Sequence, residues 1–481
     1  MATGDDAPIG DDEADGLLSP LEAYRGLVLA VSGGPDSTAL MHLAADWNRR
    51  RGLKTTLVAV TVDHGLRPAS AEEAVAVATD AARLSISHST LSWTGPAPAT
   101  GLQAAARAAR YRLLGDAARE LATGIVGPVA IVTGHTADDQ AETLLMRLVR
   151  GSGVDGLAAI PPRGVLPYSL GVQGAAPVIV LRPLLGVPRA RALATLRARA
   201  IGYVDDPSNR DSRFERVRVR EALAVLEGLG VTKEALARTA RRMQTAKEAL
   251  ELAADTLEAG AVTSRLGVVH EIGRHALASA PAETGVRLLR RLLERAGGQI
   301  RPADLSPVED AVARIRAADE PLATFTLGGC IVETALCSAG AGALVRVYRE
   351  PDRGAGIAHV RLAPGGRQLW DGRFWVEVSI DYPANVDVGP LGHEWQPLLA
   401  AYPELSQLSL PAAAARGIPA FRESNGHLTV PLLADGLREL GHAAPVVVLP
   451  RVGDATQEID VSCFRTVPAW PSGMHARRAP W

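Results

Sequence analysis

Three short apolar runs constrain the fold of this chain more than any other feature of its sequence. They span 27–31 (LVLAV), 55–62 (TTLVAVTV) and 128–133 (PVAIVT). None of them alternates with polar residues, which is the pattern of parallel strands that are covered on both faces. Parallel strands need long crossover connections, and helical stretches lie between these runs. The sequence therefore predicts an α/β fold with a doubly wound, mostly parallel sheet.

Helical patterns fill the connections between the apolar runs. The predicted helices span 36–50, 71–84, 102–122 and 138–150. A loop rich in Gly and Pro then leads to a further strand at 178–182 and to a helix over 188–200, which has Pro188 in its first turn. Strands that alternate with helices in this way form βαβ units.

At 481 residues the chain is too long for one hydrophobic core, so several domains are expected. The predicted divisions are a disordered acidic tail (1–18), the α/β domain (19–220), a helical middle domain (221–320) and a small α+β C-terminal domain (321–481). The acidic start does not have the apolar core of a signal peptide, and no apolar run reaches about 18 residues. A cytoplasmic protein is therefore expected.

The first predicted strand ends in the string Ser32-Gly33-Gly34-Pro35-Asp36-Ser37, just before a helix. Glycines permit unusual backbone angles, and the free N–H groups of a helix start attract anions. The string is neither a Walker A loop nor a G-x-G-x-x-G loop, since it has no lysine and a different glycine spacing. Asp36 would repel a phosphate unless a cation lay between them, which indicates Mg²⁺.

This string, in this strand–turn–helix context, resembles the PP-loop family of ATP pyrophosphatases. Five further strings narrow the resemblance to the tRNA(Ile)-lysidine synthetases. They are VDHGLRPASAEEA (62–74), GLQAAARAARYRLL (101–114), GHTADDQAETLLMRLVRGSGVDGLAAIPP (134–162), RPLL (182–185) and DDPSNRDSRFERVRVR (205–220). The resemblance is dense over 27–220 and thinner beyond, where TLGGCIVE (326–333) is similar. It implies that ATP adenylates the wobble cytidine of a CAU-anticodon isoleucine tRNA, after which free L-lysine displaces AMP to give lysidine.

The resemblance also implies a set of site residues. Those expected to bind ATP are Ser32, Gly33, Gly34, Pro35, Asp36, Ser37, His64 and His135. Asp36, as the metal ligand, and Asp139 are the expected catalytic residues. Asp138 and Glu142 share one face of a helix and suit the ammonium groups of lysine. Acids in a first helical turn are also ordinary capping residues, and both histidines could cap, so the division of roles stays open.

The expected tRNA contacts are arginines. Residues 182–220 contain ten arginines against four acidic residues, although the formal net charge of the whole chain is only −2. A local basic segment of this kind is typical of nucleic-acid binding. The candidates are Arg110, Arg147, Arg150, Arg213, Arg216, Arg218 and Arg220. The family usually has R-N-R where this chain has Arg216-Val217-Arg218, which puts the role of the missing amide in doubt.

Other functions remain as alternatives. A PP-loop tRNA thiolase that uses cysteines is disfavoured, because it needs thiols near the active site and residues 1–329 contain none. The three cysteines of the chain are Cys330, Cys337 and Cys463. An amide-forming PP-loop enzyme would not need the arginine-rich segment, and a regulatory nucleotide-binding module would not need the acids at 138–142. The implied partners are ATP, Mg²⁺, L-lysine and the tRNA, without a membrane. A homodimer is left open.

Overall fold

The computed structural model of the chain describes residues 7–65, 70–94, 101–166, 177–205, 215–298, 303–317, 324–336, 343–351, 356–424, 426–440, 448–449 and 464–468. The chain divides into two compact units, one up to Glu248 and one from Ala249 onward. Within the described ranges, none of the helices has the length and apolarity that crossing a membrane requires.

The first unit alternates strands and helices. Its helices are α1 (Asp11–Leu18), α2 (Pro35–Arg50), α3 (Ser70–Arg83), α4 (Leu102–Thr123), α5 (Ala137–Val149), α6 (Val154–Leu157), α7 (Arg189–Ala198), α8 (Glu215–Glu227) and the first half of α9 (Lys233–Ala261). Its strands are β1 (Gly26–Ala30), β2 (Thr56–Asp63), β3 (Ser87–Ser92), β4 (Val129–Thr133), β5 (Arg163–Val165) and β6 (Ile179–Leu181). The predicted helices and strands are confirmed to within about two residues at their ends.

The six strands form one sheet in the order β3-β2-β1-β4-β6-β5. All neighbours pair in parallel except β5, which runs antiparallel to β6 at the edge. The sequence did not predict β3 or β5. Strand β3 (SHSTLS) is polar and lies at the other edge, where none of its residues is fully buried, so it lacks the apolar run by which the central strands are recognised.

The sheet is covered on both faces, as predicted. Leu27 and Leu29 of β1 pack in one core with residues of α2, whereas Val28 and Ala30 pack in another core with residues of α4. Successive residues of a strand point to opposite faces, so both sets must be apolar to be buried. This is the physical reason why β1 is a continuous apolar run with all five residues buried.

The prediction of a disordered tail over 1–18 is wrong for the part that the structure describes. Residues Asp11–Leu18 form α1, and Ile9, Ala14 and Leu18 are buried in the core that α2 also lines. The acids that resembled a solvated tail lie in the first turn, where they suit the helix dipole. Several of them form ion pairs, such as Glu13 with Arg191 at 2.6 Å.

The second unit begins within α9 and mixes helices with antiparallel sheets. Its further helices are α10 (Arg274–Ser279), α11 (Ala282–Gly297), α12 (Leu305–Ala317), α13 (Trp395–Ala401), α14 (Ala412–Arg416) and α15 (Pro431–Glu439). Its strands are β7 (Val262–Arg265), β8 (Val269–Gly273), β9 (Phe325–Leu327), β10 (Cys330–Leu336), β11 (Ala343–Arg349), β12 (Val360–Leu362), β13 (Arg367–Trp370), β14 (Phe374–Val378), β15 (Val386–Pro390), β16 (Pro419–Arg422), β17 (Leu428–Thr429), β18 (Val448–Leu449) and β19 (Phe464–Pro468).

One sheet of the second unit corrects the predicted domain boundary. It has the strand order β7-β8-β11-β10-β9, so strands from both sides of residue 320 pair in it. The expected helical domain over 221–320 therefore contains a hairpin, β7–β8, and shares its sheet with the segment expected to start a new domain. Two further sheets follow, one of five strands in the order β12-β15-β16-β17-β18 and one of three strands in the order β13-β14-β19. They agree with the α+β character predicted for the C-terminal region.

Candidate active site

The predicted nucleotide-binding residues lie at one edge of the parallel sheet. The glycine turn follows β1, His64 follows β2, and His135 follows β4. Because these strands are parallel neighbours, their carboxyl ends meet at the same edge, which is where open α/β sheets bind ligands.

The turn after β1 is held in shape by its own hydroxyl groups. The backbone N–H of Ser32 donates to Ser37 Oγ at 3.1 Å, and Ser37 Oγ–H donates to the Gly34 carbonyl at 3.0 Å. Gly33 has φ +82°, in the left-handed region that favours glycine. Pro35 occupies the first turn of α2, where its missing N–H costs nothing. The result is a preformed loop at a helix start, suited to phosphate.

A second glycine lets the loop after β4 approach this turn. A Cβ on Gly134 would lie 2.8 Å from the carbonyl oxygen of Asp36 and 3.0 Å from the backbone nitrogen of Ser37. These are backbone atoms at the start of α2, so they cannot rotate away. Gly134 thereby places the start of α5 directly beside the start of α2.

Asp36 is held by an arginine that the sequence analysis did not assign to the site. Arg189, the first residue of α7, donates from Nε to Asp36 Oδ2 at 2.8 Å, and its Nη2 lies 2.6 Å from the same oxygen. Burial raises the pKa of Asp36 to about 6, and the charge of Arg189 opposes that rise. Arg189 follows β6 and could have been found from its place at the same sheet edge.

The other carboxylate oxygen of Asp36 fits a metal ligand. Asp36 Oδ1 is buried and has no hydrogen-bond partner among the described residues, which is costly unless a cation or a ligand donor completes the site. No group of three or more His, Cys, Asp or Glu side chains in the described parts of the chain is placed to hold a metal. A single unpartnered carboxylate oxygen is enough for Mg²⁺, which typically takes one or two carboxylates together with substrate phosphates.

Asp139 stabilises the start of α5. Its Oδ2 accepts from the backbone N–H of Thr136 at 2.9 Å and from Thr136 Oγ1 at 3.1 Å. Burial opposes its ionisation, but the guanidinium groups of Arg189 and Arg216, together with the backbone N–H of Thr136, lower the pKa of Asp139 below its usual value. Asp139 is thus an ionised residue of the site that also caps the N-terminus of α5.

Asp138 and Glu142 both form contacts with cationic groups of the chain. Asp138 Oδ2 accepts from the backbone N–H of Arg189 at 2.8 Å, while Asp138 Oδ1 lies 3.5 Å from Lys233 Nζ. Glu142 is buried and accepts from Arg220 Nε at 2.5 Å. The two acids predicted to receive lysine are therefore each paired with a cation that a substrate ammonium group would have to displace.

The cluster as a whole is close to charge balance. Contacts of up to 4.0 Å link six of its members, which are Asp36, Asp138, Asp139, Arg189, Arg216 and Lys233. Glu142 and Arg220 form a separate pair one turn further along α5. A mixed cluster of this kind suits a zwitterion, because free lysine brings a carboxylate as well as two ammonium groups. It also provides guanidinium groups, which bind phosphate well.

The two histidines of the site are held differently. His135 contacts Thr133 Oγ1 through Nδ1 at 2.8 Å, and burial, together with the charges of nearby arginines, lowers its pKa to about 3. It is therefore neutral at physiological pH. His64 is half-buried and meets the ring of Trp93 edge-on, with 6.1 Å between the ring centroids. Burial and the charge of Arg110 lower the pKa of His64 as well.

The arginines predicted to contact tRNA fall into three groups. The first group lies at the cluster described above. Arg216 Nη1 lies 3.6 Å from Asp139 Oδ1, and Arg220 pairs with Glu142. The charge of Arg110 helps to lower the pKa of His64 and of His135. Arg147 donates within the protein to the carbonyl groups of Gly156 in α6 and of Ala159 just after it. Arg150 pairs with Glu215 at 2.6 Å. Arg218 is exposed on α8, and Arg213 lies outside the described residues.

Val217 has a structural explanation. Its side chain is buried on the inner face of α8, between Arg216 and the exposed Arg218. An apolar residue suits that position, because a buried amide would need hydrogen-bond partners there.

Two other residues of the site were not anticipated. Gln140 clasps the backbone of Ile160 with two hydrogen bonds of 2.8 Å, and Val204 donates its N–H to the Gly33 carbonyl at 2.8 Å.

The fold and this site define the class of the protein. Residues 11–227 match the family model described as a PP-loop domain, which implies use of ATP.

Curated relatives narrow the class of PP-loop enzyme further. The tRNA(Ile)-lysidine synthase of Bradyrhizobium sp. (strain BTAi1) is 43% identical over 364 residues, which cover 73% of this chain and 97% of that protein. The tRNA(Ile)-lysidine synthase of Methylobacterium nodulans is 44% identical over 340 residues, which cover 69% and 93%. The chain belongs to the tRNA(Ile)-lysidine synthase family and is an enzyme.

Among solved structures, a U34-tRNA thiolase from Methanococcus maripaludis with its [4Fe-4S] cluster is similar over 49% of this chain and 79% of that chain. The sequence identity is 17% and the TM-score is 0.40. The family assignment does not depend on this likeness.

Proposed function

We propose that this enzyme joins free L-lysine to C2 of the wobble cytidine in the isoleucine tRNA with a CAU anticodon. ATP first adenylates O2 of the cytidine and releases pyrophosphate. The ε-amine of lysine then attacks C2 and expels AMP, which leaves lysidine. The modified base pairs with A instead of G, so codon reading changes from AUG to AUA and charging changes from methionine to isoleucine.

The single observation that carries this proposal is the meeting of two loops at the sheet edge. Gly134 brings the start of α5, with its acids, against the glycine turn at the start of α2. A triphosphate bound at the turn would then have its α-phosphorus close to the acid cluster. Holding reactants in this way supplies much of the catalysis in a transfer where the protein mainly positions groups and stabilises charge.

Asp36 would hold Mg²⁺ through its unpartnered Oδ1, and the ion would neutralise the charge that develops on the leaving pyrophosphate. Arg189 sits on Asp36 and is kept charged by its acidic neighbours, so it can exchange that carboxylate for a phosphate oxygen. His135 is neutral, which permits it to donate or accept a hydrogen bond with the nucleotide.

Lysine would enter at Asp138 and Glu142. Both carboxylates lie on the face of α5 that is turned toward α8 and Lys233. The substrate ammonium would replace an internal cation at one of them, while an arginine of the cluster receives the substrate carboxylate. A carboxylate of this cluster can also accept the proton that the attacking amine loses. Arg216, Arg218 and Arg220 on α8 would guide the anticodon loop to this position.

The decisive assay is transfer of labelled lysine. The full chain is incubated with ATP, Mg²⁺, labelled lysine and one of three RNAs: tRNA(Ile) with CAU, tRNA(Ile) with GAU, or tRNA(Met) with CAU. We expect label only in the first RNA. Asp36→Asn should abolish transfer, whereas Asp12→Asn, the same chemical change at an exposed position, should not. Label in none of the RNAs, or in all three, would contradict the proposal.

The runner-up is another PP-loop enzyme that modifies tRNA or forms an amide with ATP. The same assay separates it, since such an enzyme would consume ATP without placing lysine on this RNA. The expectation of a cytoplasmic location and the open question of a homodimer stay predictions. Sedimentation equilibrium of the purified chain tests the second.

A further inference from the structure

The two halves of α9 carry charges of opposite sign that are used differently. In the second half, Glu251, Asp255 and Glu258 are paired with arginines of α11, such as Asp255 with Arg291 at 2.8 Å. In the first half, a stripe of three arginines is exposed. We call Arg238, Arg241 and Arg242 the α9 stripe. Unlike the arginines of α11, these three form no ion pair with any part of the chain that the structure describes.

The α9 stripe lies on one side of the helix by its spacing. Arg238 lies three residues before Arg241 and four before Arg242, and residues at these spacings are neighbours on a helix surface. The opposite side of the same turns is buried: Leu236 and Ala240 pack in one cluster with residues of α5 and α8. The stripe therefore points away from the body of the first unit, into solvent.

We propose that the α9 stripe binds the phosphate backbone of the tRNA, outside the anticodon loop that enters the active site. This inference rests on the proposed function for the identity of the RNA. A formal net charge of −2 gives the chain no general attraction for a polyanion, so RNA affinity must come from local groups. Three unneutralised guanidinium groups on one helical turn are such groups, and arginine is the residue best suited to phosphate.

A nucleic-acid partner fits the stripe better than a protein partner. A stable protein interface has an apolar or aromatic centre surrounded by polar residues. The residues exposed around the stripe are instead polar or charged, namely Glu234, Thr239, Thr245 and Glu248. Contacts to phosphate need no such apolar centre, and they position an RNA without reading its sequence.

The helix that carries the stripe is fixed to the active site. At its first residue, Lys233 contacts Asp138, and further along Lys247 Nζ lies 3.9 Å from Asp155 Oδ1. Independently of these ion pairs, the buried cluster of Leu236 and Ala240 packs the first half of α9 against α5 and α8. An RNA bound there would be held in one register while its wobble base reaches the acids of α5.

The test is the salt dependence of tRNA binding by the full chain. The triple variant Arg238→Gln/Arg241→Gln/Arg242→Gln is compared with Arg49→Gln/Arg51→Gln/Arg438→Gln, whose three arginines are also exposed but are already paired with acids. At about 0.7–0.9 per phosphate contact, the slope of log affinity against log salt should fall by about 2 to 3. If the stripe variant and the wild type bind tRNA equally at 1 M salt, the variant should bind about 50- to 170-fold more weakly near 0.15 M salt.

The control variant should bind as the wild type does, and the charge-preserving triple Arg→Lys variant at 238, 241 and 242 should recover most of the slope. Turnover at saturating tRNA should be unchanged in the stripe variant, with only the KM for tRNA raised. An unchanged slope and affinity in the stripe variant would overturn the proposal. If the wild type transferred no lysine but the slope still fell, the proposed reaction would fail while the RNA-binding surface stood.

Discussion

Gly134→Ala is the most direct perturbation of the geometry that joins the two loops of the site. The new Cβ would lie 2.8 Å from the Asp36 carbonyl oxygen, 2.9 Å from its carbonyl carbon and 3.0 Å from the Ser37 nitrogen. Ordinary contacts begin near 3.4 Å, so the loop after β4 must move by roughly 0.6 Å. Overpacking of this kind costs about 1–3 kcal/mol of unfolding free energy, because the opposing atoms are backbone.

The functional cost should be larger than the loss of stability suggests. A displacement approaching 1 Å can cost about 100-fold in rate, so we expect turnover to fall by about 10- to 100-fold at a temperature where the variant is folded. Denaturant titration and steady-state kinetics measure the two effects. Gly186→Ala is the matched control, since its Cβ meets nothing within 4 Å. If Gly134→Ala kept both wild-type stability and turnover, the close approach of the two loops would be refuted.

Three further predictions follow from single contacts. Burial lowers the pKa of His270 to about 4, whereas the ordinary pKa of histidine is near 6.5. About 3 kcal/mol of unfolding free energy, present in full above pH 6.5, should therefore be lost as the pH falls through 4. His270→Leu should flatten this pH dependence in denaturant titrations, and an unchanged dependence would contradict the prediction. Arg189→Gln removes the charge that lowers the pKa of Asp36, so the acidic limb of kcat/KM for ATP should shift to higher pH than in the wild type. A limb that stays in place refutes the role of Arg189. Lys233→Met removes the cation that competes with substrate lysine for Asp138. The KM for lysine should therefore fall by about 1.5- to 5-fold, with the KM for ATP unchanged. Equal changes in both KM values would show that Asp138 does not bind lysine.

The central sheet could be predicted because its strands are buried on both faces. That burial requires continuous apolar runs, and β1 shows the requirement most completely. The edge strand β3 could not be predicted, because an exposed polar edge needs no such run. The helix α1 was missed for a related reason. Its acids indicate a solvated tail when read alone, and only Arg50 and Arg191, distant in sequence, show that they are paired.

The candidate site divides along the same line. The glycine turn and the acids at the start of α5 could be proposed from the sequence because each is a local pattern beside a strand end. The pairing of those acids was not predicted, because their partners come from α7, α8 and α9, and Arg220 was expected to contact tRNA instead. Arg189 is the clearest case: on its own helix it resembles a solvated residue, and its contact with Asp36 depends on how the sheet brings β6 near β1. Sequence alone indicates the chemistry of a group but not which opposite charge neutralises it.

The central claim is that the turn at Ser32–Ser37 directs cleavage of ATP between the α- and β-phosphates, for chemistry on RNA. Product analysis with ATP labelled in the β- and γ-phosphates tests this directly, in the presence of lysine and the CAU-anticodon tRNA(Ile). We expect one labelled pyrophosphate for each lysine incorporated, with no ADP and no release when the RNA is withheld. Labelled inorganic phosphate with ADP, or pyrophosphate released at the same rate without RNA, would contradict the account.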